Sequence, residues 1–369
     1  MSKSLSAKQL MYTVSAFIIA SSLLTNNLYS FARNDSWFPV LTGFIVSLMI
    51  IDIYGALAKR YPGLSLVDIN TAVFGKVLGK VVSILYVFYF LSLIYLNTRD
   101  LGDFIKSAVL SDTPMAITLI SFTFVCAFAV RKGPAVLTRY GFLMSAVAIF
   151  ALLSNMLLVL NITEPNNLLP AFRLPVKNYL IGTHIVTMLP FCEIISFMMF
   201  IPFMQKTEEF GGAIRKGLCI GAATLQLIVL RDITVLGQYI NSNTMPTYST
   251  IRMIDIGDIL TRFEIVYAVI LVSLLFYKVS VVYYATVSSA GRLLGTDSSR
   301  WLVFIFGALT VVYAQASFNN SAEHVYWNMT AAATYATFFL LILPLFTLIV
   351  SWIRARPEGQ NGLGQEMMS

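Results

Sequence analysis

Charge is scarce in this chain. Asp, Glu, Lys and Arg make up 12% of its 369 residues, about half the roughly 25% of an ordinary soluble domain. A soluble protein with so few charges could not cover its surface. Histidine occurs only twice, as His184 and His324, which leaves little material for a His-based triad or metal centre, and both read as ordinary polar contacts. The three cysteines, Cys126, Cys192 and Cys219, lie inside apolar segments; their spacing is neither that of a metal site nor that of a disulfide framework. No nucleophile–base pair stands out. The chain therefore reads as no enzyme, with no catalytic residue, no metal ligand and no cofactor.

What is abundant is apolar: 57% of the residues are hydrophobic and the mean hydropathy is +0.77. A helix needs about 20 apolar residues to cross a hydrocarbon core of about 30 Å. Runs of that kind lie near 9–29, 37–58, 78–107, 114–131 and 141–160, and again near 179–204, 213–238, 263–290, 301–318 and 328–353. The expectation is one all-α membrane domain over 1–354 with ten transmembrane helices. They fall as five plus five about the polar loop 161–178, a first repeat over about 9–160 and a second over about 179–353.

The N-terminus imitates a signal peptide, with Lys3 and Lys8 before an apolar run and Ser30-Phe31-Ala32 after it. That run exceeds the usual 7–15 residues and more spans follow, so it reads as the first helix. With an inside N-terminus, sixteen Lys and Arg fall in inside segments and six in outside segments. Both termini are then expected to be cytoplasmic. The net charge of +7 thus reports topology, and no nucleic-acid surface is needed to explain it. In the long loop 239–262, IRMIDIGDIL looks amphipathic, as a partial lid or a plain surface helix. The tail 355–369 is polar and is expected to be disordered and cytoplasmic.

Several polar residues sit where lipid makes them costly. Pro190 removes a backbone donor in the sixth span, and Glu193 follows three residues later. A proline alone is an ordinary kink. A carboxylate beside it, costing about 2.5 kcal/mol or more if it faced lipid, suggests the kind of broken helix from which transporters build midplane sites. The expected ligand contacts there are Thr187, Met188, Leu189, Pro190, Phe191 and Glu193. In the first span, Ala20, Ser21, Ser22 and Leu23 open the stretch ASSLLTNN, whose hydroxyls and amides compete with the helix ladder. It reads as a second unwound segment, or as a polar helix end. Lys278, deep in span eight, must be paired or neutral. It either meets Glu193 or sits where such transporters hold a sodium ion between helices one and eight. Arg99, Asp100, Asp103 and Lys106 cluster at the outer end of span three. There Arg99–Asp103 and Asp103–Lys106 can meet on one face, as an ion network or outer gate rather than a ligand site. Arg231 and Asp232 in span seven are adjacent and are expected to point in different directions, so each needs a partner from another helix.

Four pieces in order, RDLGDFIKSAVLSDTP (99–114), VRKGPAVLTRYG (130–141), NNLLPAF (166–172) and MPTYSTIRMIDIGDILTRFE (245–264), resemble the B subunit of bacterial spore germinant receptors. That permease-like family lies within the amino acid, polyamine and organocation superfamily. The resemblance spans nearly the whole chain. It implies an inverted five-plus-five (LeuT-like) fold with helices one and six broken, in the inner membrane of the spore among its lipids. It also implies assembly with an A subunit and a lipoprotein C subunit, and binding of a small nutrient, typically an amino acid, at the two breaks. One departure stands out: the family has glycines and a proline in helix one, in a pattern like GAGxLTLP, where this chain has ASSLLTNN. Two functions follow, a sensor that signals by changing conformation and a proton- or cation-coupled amino acid transporter. A third, a mainly structural or channel-forming subunit, stands behind them.

Overall fold

Lipid offers no hydrogen bonds, so a backbone that crosses it must satisfy its own polar groups. In the computed structural model, which describes residues 5–241, 243, 245–253, 263–296 and 300–354, it does so with helices. The one extended pairing among the described residues is a single bridge, Leu5 to Met204. Fourteen α-helices follow in order: α1 (Ala7–Ile19), α2 (Thr25–Ala32), α3 (Trp37–Arg60), α4 (Leu66–Phe104), α5 (Met115–Lys132), α6 (Pro134–Leu158) and α7 (Val176–Val186). The rest are α8 (Phe210–Leu236), α9 (Pro246–Arg252), α10 (Phe263–Leu294), α11 (Arg300–Ala316), α12 (Ser321–Thr330), α13 (Ala332–Thr337) and α14 (Leu343–Ile353).

Local sequence explains where these helices start and bend. Ser6 and Gln9 form a reciprocal cap at the start of α1, satisfying donors that a helix N-terminus leaves free. Within α4, Gly75 takes φ 84° and ψ 176°, a region closed to most side chains. Residues 66–74 thereby fold back as a short arm. Gly79 lets the arm lie close, because a Cβ there would stand 2.6 Å from Thr71 Cα. Gly133, at φ 87°, makes the tight turn between α5 and α6. The stretch NNLLPAF starts in a 3₁₀ turn, Pro165–Leu168, and is tied down by side chains: Asn167 Nδ2 donates to Thr234 O and Phe172 N donates to Asp35.

Among the described residues, eight helices are long and apolar enough to cross a membrane, or nine if α11 and α12, bent by 100°, count as one span. The sequence reading expects ten. The difference begins at the first span: α1 has only 13 residues before a 3₁₀ turn at Ala20–Leu24, and α2 resumes after it. At the other end, the expected disordered tail lies outside the described residues, as does IRMIDIGDIL beyond Met253.

Burial differs sharply between spans. In Val176–Phe203, 89% of the apolar stretch is buried, against 28% in α5 and α6. Val176–Phe203 is therefore the axis of the bundle, while α5 and α6 turn much of their surface outward. Large apolar side chains such as Met49, Val77 and Phe124 are exposed, as a lipid-facing surface requires. α1 packs on α6 and α8, and α10 packs on α4 and on Cys192–Phe203.

Two glycines set how closely α1 approaches α8. A Cβ on Gly217 would stand 2.6 Å from Met11 O, and one on Gly221 2.7 Å from Ile18 Cβ. Four residues apart, they form the small-xxx-small face that lets membrane helices touch at backbone distance. Gly217→Leu should force α1 outward and lower the yield of monodisperse protein severely. Gly217→Ala should cost about 1–3 kcal/mol, the usual range for overpacking, read as a lower melting temperature in detergent.

Candidate functional site

Two interruptions of helical structure meet inside the bundle. In the first, α1 gives way to the 3₁₀ turn Ala20–Leu24, which carries Ala20, Ser21, Ser22 and Leu23. No glycine or proline is present there; the turn carries adjacent serines, a residue type that favours departures from the helix ladder, and the Ser21 hydroxyl accepts from Lys278. Ala20, Ser21 and Ser22 are buried.

The second interruption follows α7. Residues Thr187–Phe191 form a π-turn, in which Leu189 leaves helical space at φ −125° and ψ 102°, and Cys192–Phe203 continue as a 3₁₀ helix. Proline disfavours α geometry at the residue before it, so Pro190 accounts for Leu189. Thr187, Met188, Pro190, Phe191 and Glu193 are buried, while Leu189 is partly buried. Thr187 donates back to Thr183 O at 2.7 Å. The two interrupted segments lie against one another.

Lys278 joins them. Its Nζ, 15 residues into α10, lies 2.6 Å from Glu193 Oε2 and donates to Ser21 Oγ at 2.7 Å. The Phe17 ring stands 5.2 Å away. Of the two expected places for Lys278, beside Glu193 or at a sodium position between helices one and eight, the contact with Glu193 is formed, and Ser21 of the first interruption adds a second. Lys278 is 0% exposed and Glu193 1%, so the pair is screened from water. An ion pair at such depth holds only while both partners remain, because either charge alone would be buried uncompensated. Chemically, the arrangement presents a cation and an anion side by side at a point where two helices have no regular ladder.

A second ionic cluster binds the far end of α4 to the bend between α11 and α12. Arg99 Nε lies 3.1 Å from Asp103 Oδ1, and its Nη1 donates to the Ala314 and Phe318 carbonyls, each at 3.1 Å. Asp103 also accepts from Ser321 at 2.7 Å, and its Oδ2 lies 2.8 Å from His324 Nδ1. The expected Asp103–Lys106 pair is not formed. Residues Ile105–Val109 are a π-turn, which changes the three-residue spacing, and Lys106 is exposed while Asp103 turns inward. His324 is the participant that sequence spacing misses; it is 221 positions from Asp103, and no local signal links the two.

A third cluster surrounds Arg231 and Asp232, and it corrects the expectation that these neighbours point apart. Arg231 Nη2 reaches Asp232 Oδ1 at 2.6 Å and its Nε does so at 3.0 Å. The arginine is long enough to fold back on the residue beside it. Other helices contribute as well: Asn155 Oδ1 accepts from Arg231 at 2.7 Å, and Asp232 accepts from Tyr29 at 3.1 Å and Thr247 at 2.5 Å. His184 makes an ordinary polar contact, 2.7 Å from Thr337 Oγ1.

Comparison with known proteins gives one consistent picture. The sequence model of a permease family described as "Spore germination protein" matches residues 4–322. Spore germination protein KB of Bacillus subtilis is 28% identical over 364 residues, covering 97% of each chain. Spore germination protein YndE of the same species is 23% identical over 326 residues, 88% of this chain and 89% of that one. The fold is similar to that of Mhp1, a nucleobase-cation-symport-1 family transporter solved in a closed conformation with bromovinylhydantoin bound. The TM-score is 0.68 at 12% identity, over 94% of this chain and 78% of Mhp1. At that identity the likeness concerns the fold alone.

The buried pair makes a specific demand on variants. Lys278→Met should destabilise the protein by about 3–5 kcal/mol, since Glu193 is left without its counter-charge. The double variant Lys278→Met with Glu193→Met should recover most of that loss. Melting curves of the three variants and the parent form the cycle, and a double variant no better than the single one would refute the coupling.

Proposed function

Because the chain belongs to the spore germination protein family, we propose that it is the B subunit of a spore germinant receptor. In this reading it lies in the inner membrane of the spore with both termini cytoplasmic, beside an A subunit and a lipoprotein C subunit. It binds a nutrient, an amino acid by preference, and passes that event on through a change of shape. The ten-helix, five-plus-five organisation belongs to the same proposal. There the first helix runs from α1 through Ala20–Leu24 into α2, and the sixth from α7 through Thr187–Phe191 into Cys192–Phe203.

The observation that carries the reading is the convergence of Lys278, Glu193 and Ser21 at the two interruptions. An amino acid is a zwitterion, with one ammonium and one carboxylate. Entering beside the pair, its carboxylate would turn Lys278 away from Glu193 and its ammonium would take the carboxylate that Lys278 leaves. The net charge inside the bundle is unchanged by that exchange, which keeps its electrostatic cost low. What changes is which helices are tied together, since α10 is now linked to the sixth segment through the ligand. A ligand shifts a conformational equilibrium only through unequal affinity for the two states, and this exchange supplies such an inequality.

A second reading is a proton- or cation-coupled secondary transporter of amino acids, favoured by the Mhp1-like fold and by the buried Lys278–Glu193 pair. Uptake of labelled amino acids into proteoliposomes distinguishes the two, because a sensor need not move net substrate.

Spores lacking this gene, scored for loss of refractility against single nutrients and mixtures, should lose a defined response. Glu193→Gln keeps an acceptor for Lys278 and should leave abundance near normal, while raising the nutrient concentration for half-maximal germination by roughly ten-fold or more, the weight of one charge-assisted hydrogen bond. Unchanged nutrient sensitivity at normal abundance would sink the ion-exchange reading.

A further inference from the structure

Adjacent serines in the 3₁₀ turn face different surroundings. Ser21 receives the Lys278 ammonium, whereas Ser22 lines a separate cavity of about 240 Å³ between α1, α6, α8 and α10. A cavity of roughly 150 Å³ is enough for a benzene ring, so this one admits a ring with a short arm. Its walls are mostly apolar, with Ala151, Ile228 and Leu271 among them. Phe150 and Val266, also in the lining, are 74% and 51% exposed on the apolar outside of the bundle. The mouth therefore opens toward lipid, between α6 and α10.

One end of the cavity is polar, formed by Asn155, Arg231 and Thr247 of the cluster described above. The Asn155 amide can be oriented from its partner: Arg231 is only a donor, so the Asn155 oxygen faces it and Nδ2 faces away. Nδ2 is buried and has no hydrogen-bond partner, on a residue only 3% exposed. A buried donor of this kind calls for an acceptor. Arg231 is already neutralised by Asp232, so a second anion there would be in excess, and a cation would meet the guanidinium.

We propose that this cavity is a binding site for a neutral amphipathic small molecule, whose apolar body lies between α6 and α10 and whose carbonyl or similar acceptor meets Asn155 Nδ2. The molecule reaches the site from the bilayer. Its contact with Ser22 places it against the same turn whose neighbouring serine holds Lys278. This site does not depend on the nutrient reading: it uses other residues and a ligand of another charge type.

The test uses the full chain in lipid nanodiscs with 4-phenyl-2-butanone as probe, and butylbenzene, which has a similar apolar body without the acceptor, as comparison. At ten times its dissociation constant the ketone should raise the melting temperature by about 2 °C. Butylbenzene at equal membrane concentration should give less than half of that. Ala151→Phe, which fills the cavity from its wall, should abolish the ketone effect. Asn155→Leu should weaken the ketone by about ten-fold, the worth of one buried hydrogen bond, and leave butylbenzene unchanged. A ketone effect that survives Ala151→Phe overturns the proposal. Equal effects of the two probes on the parent protein also overturn it, and would mean an apolar groove for lipid chains. Should Ala151→Phe not fold, a diazirine derivative of the ketone decides on the parent protein: adducts within 147–155 or 266–274 support the site, and adducts found only elsewhere refute it.

Discussion

A single ammonium at the centre of the bundle constrains much of what surrounds it. Lys278 sits on α10 with no exposure, so its charge must be answered from within reach, and Glu193 Oε2 and Ser21 Oγ stand 2.6 and 2.7 Å from its ammonium. Each lies on a segment that has left α-helical geometry. A regular helix bonds its own carbonyls and amides and presents only side chains to its neighbours. A segment that departs from that ladder brings backbone as well as side chains to the centre, at the cost of groups that must be satisfied elsewhere. Lys278 thus lies where the protein has already given up regularity, and it ties together the two elements that gave it up.

The same trade recurs through the molecule, and tyrosines settle much of it. The π-turn Phe338–Ile342 joins α13 to α14, and tyrosines from other helices reach two of its carbonyls. Tyr86 donates to Phe339 O at 3.2 Å and Tyr54 to Leu340 O at 2.5 Å. Tyr277, next to Lys278, donates to Thr13 O at 3.0 Å, in the middle of α1, the helix that leads into the turn carrying Ser21. Gly141 makes room for that ring, since a Cβ there would collide with it. Irregular backbone within the membrane is tolerated only where protein covers it. Here the cover is a set of hydroxyls on long, rigid rings, which reach across helices without charge.

How much of this could be read from the sequence depends on how local each cause is. Pro190 and Glu193 are legible because proline acts on its own neighbours and a lone carboxylate in an apolar run has few explanations. Lys278 is legible as a residue that needs a partner, and Glu193 is named as one candidate. Long-range pairings are not legible. His324 joins Asp103 across most of the chain, and spacing carries no trace of it. Lys106 misleads because the three-residue rule assumes an α-helix, while Ile105–Val109 is a π-turn. Arg231 and Asp232 mislead because the rule that helix neighbours diverge describes Cβ directions, and a four-atom arginine stem can bend back across them. The span count departs from ten at its first member for a related reason: hydropathy measures how apolar Gln9–Tyr29 is and is blind to the break at Ala20, which leaves α1 and α2 each short of a full crossing.

The adjacency of Ser21 and Ser22 bears on how such a molecule could respond to more than one input. In a 3₁₀ turn, with three residues per turn, neighbouring side chains point about 120° apart, so one short turn can serve two compartments. Ser21 belongs to the Lys278–Glu193 pair and Ser22 to the cavity that opens toward lipid. Any shift of Ala20–Leu24 that improves one contact must move the other, because the two residues share a peptide bond. Coupling between sites is reciprocal by thermodynamic necessity, so whatever fills the cavity would alter the ease of breaking the ion pair, and the state of the pair would alter the cavity. Glycine in place of these serines would give the turn its bend but neither hydroxyl. The ASSLL sequence therefore supports an interruption that is held from both sides, and its resting geometry depends on both.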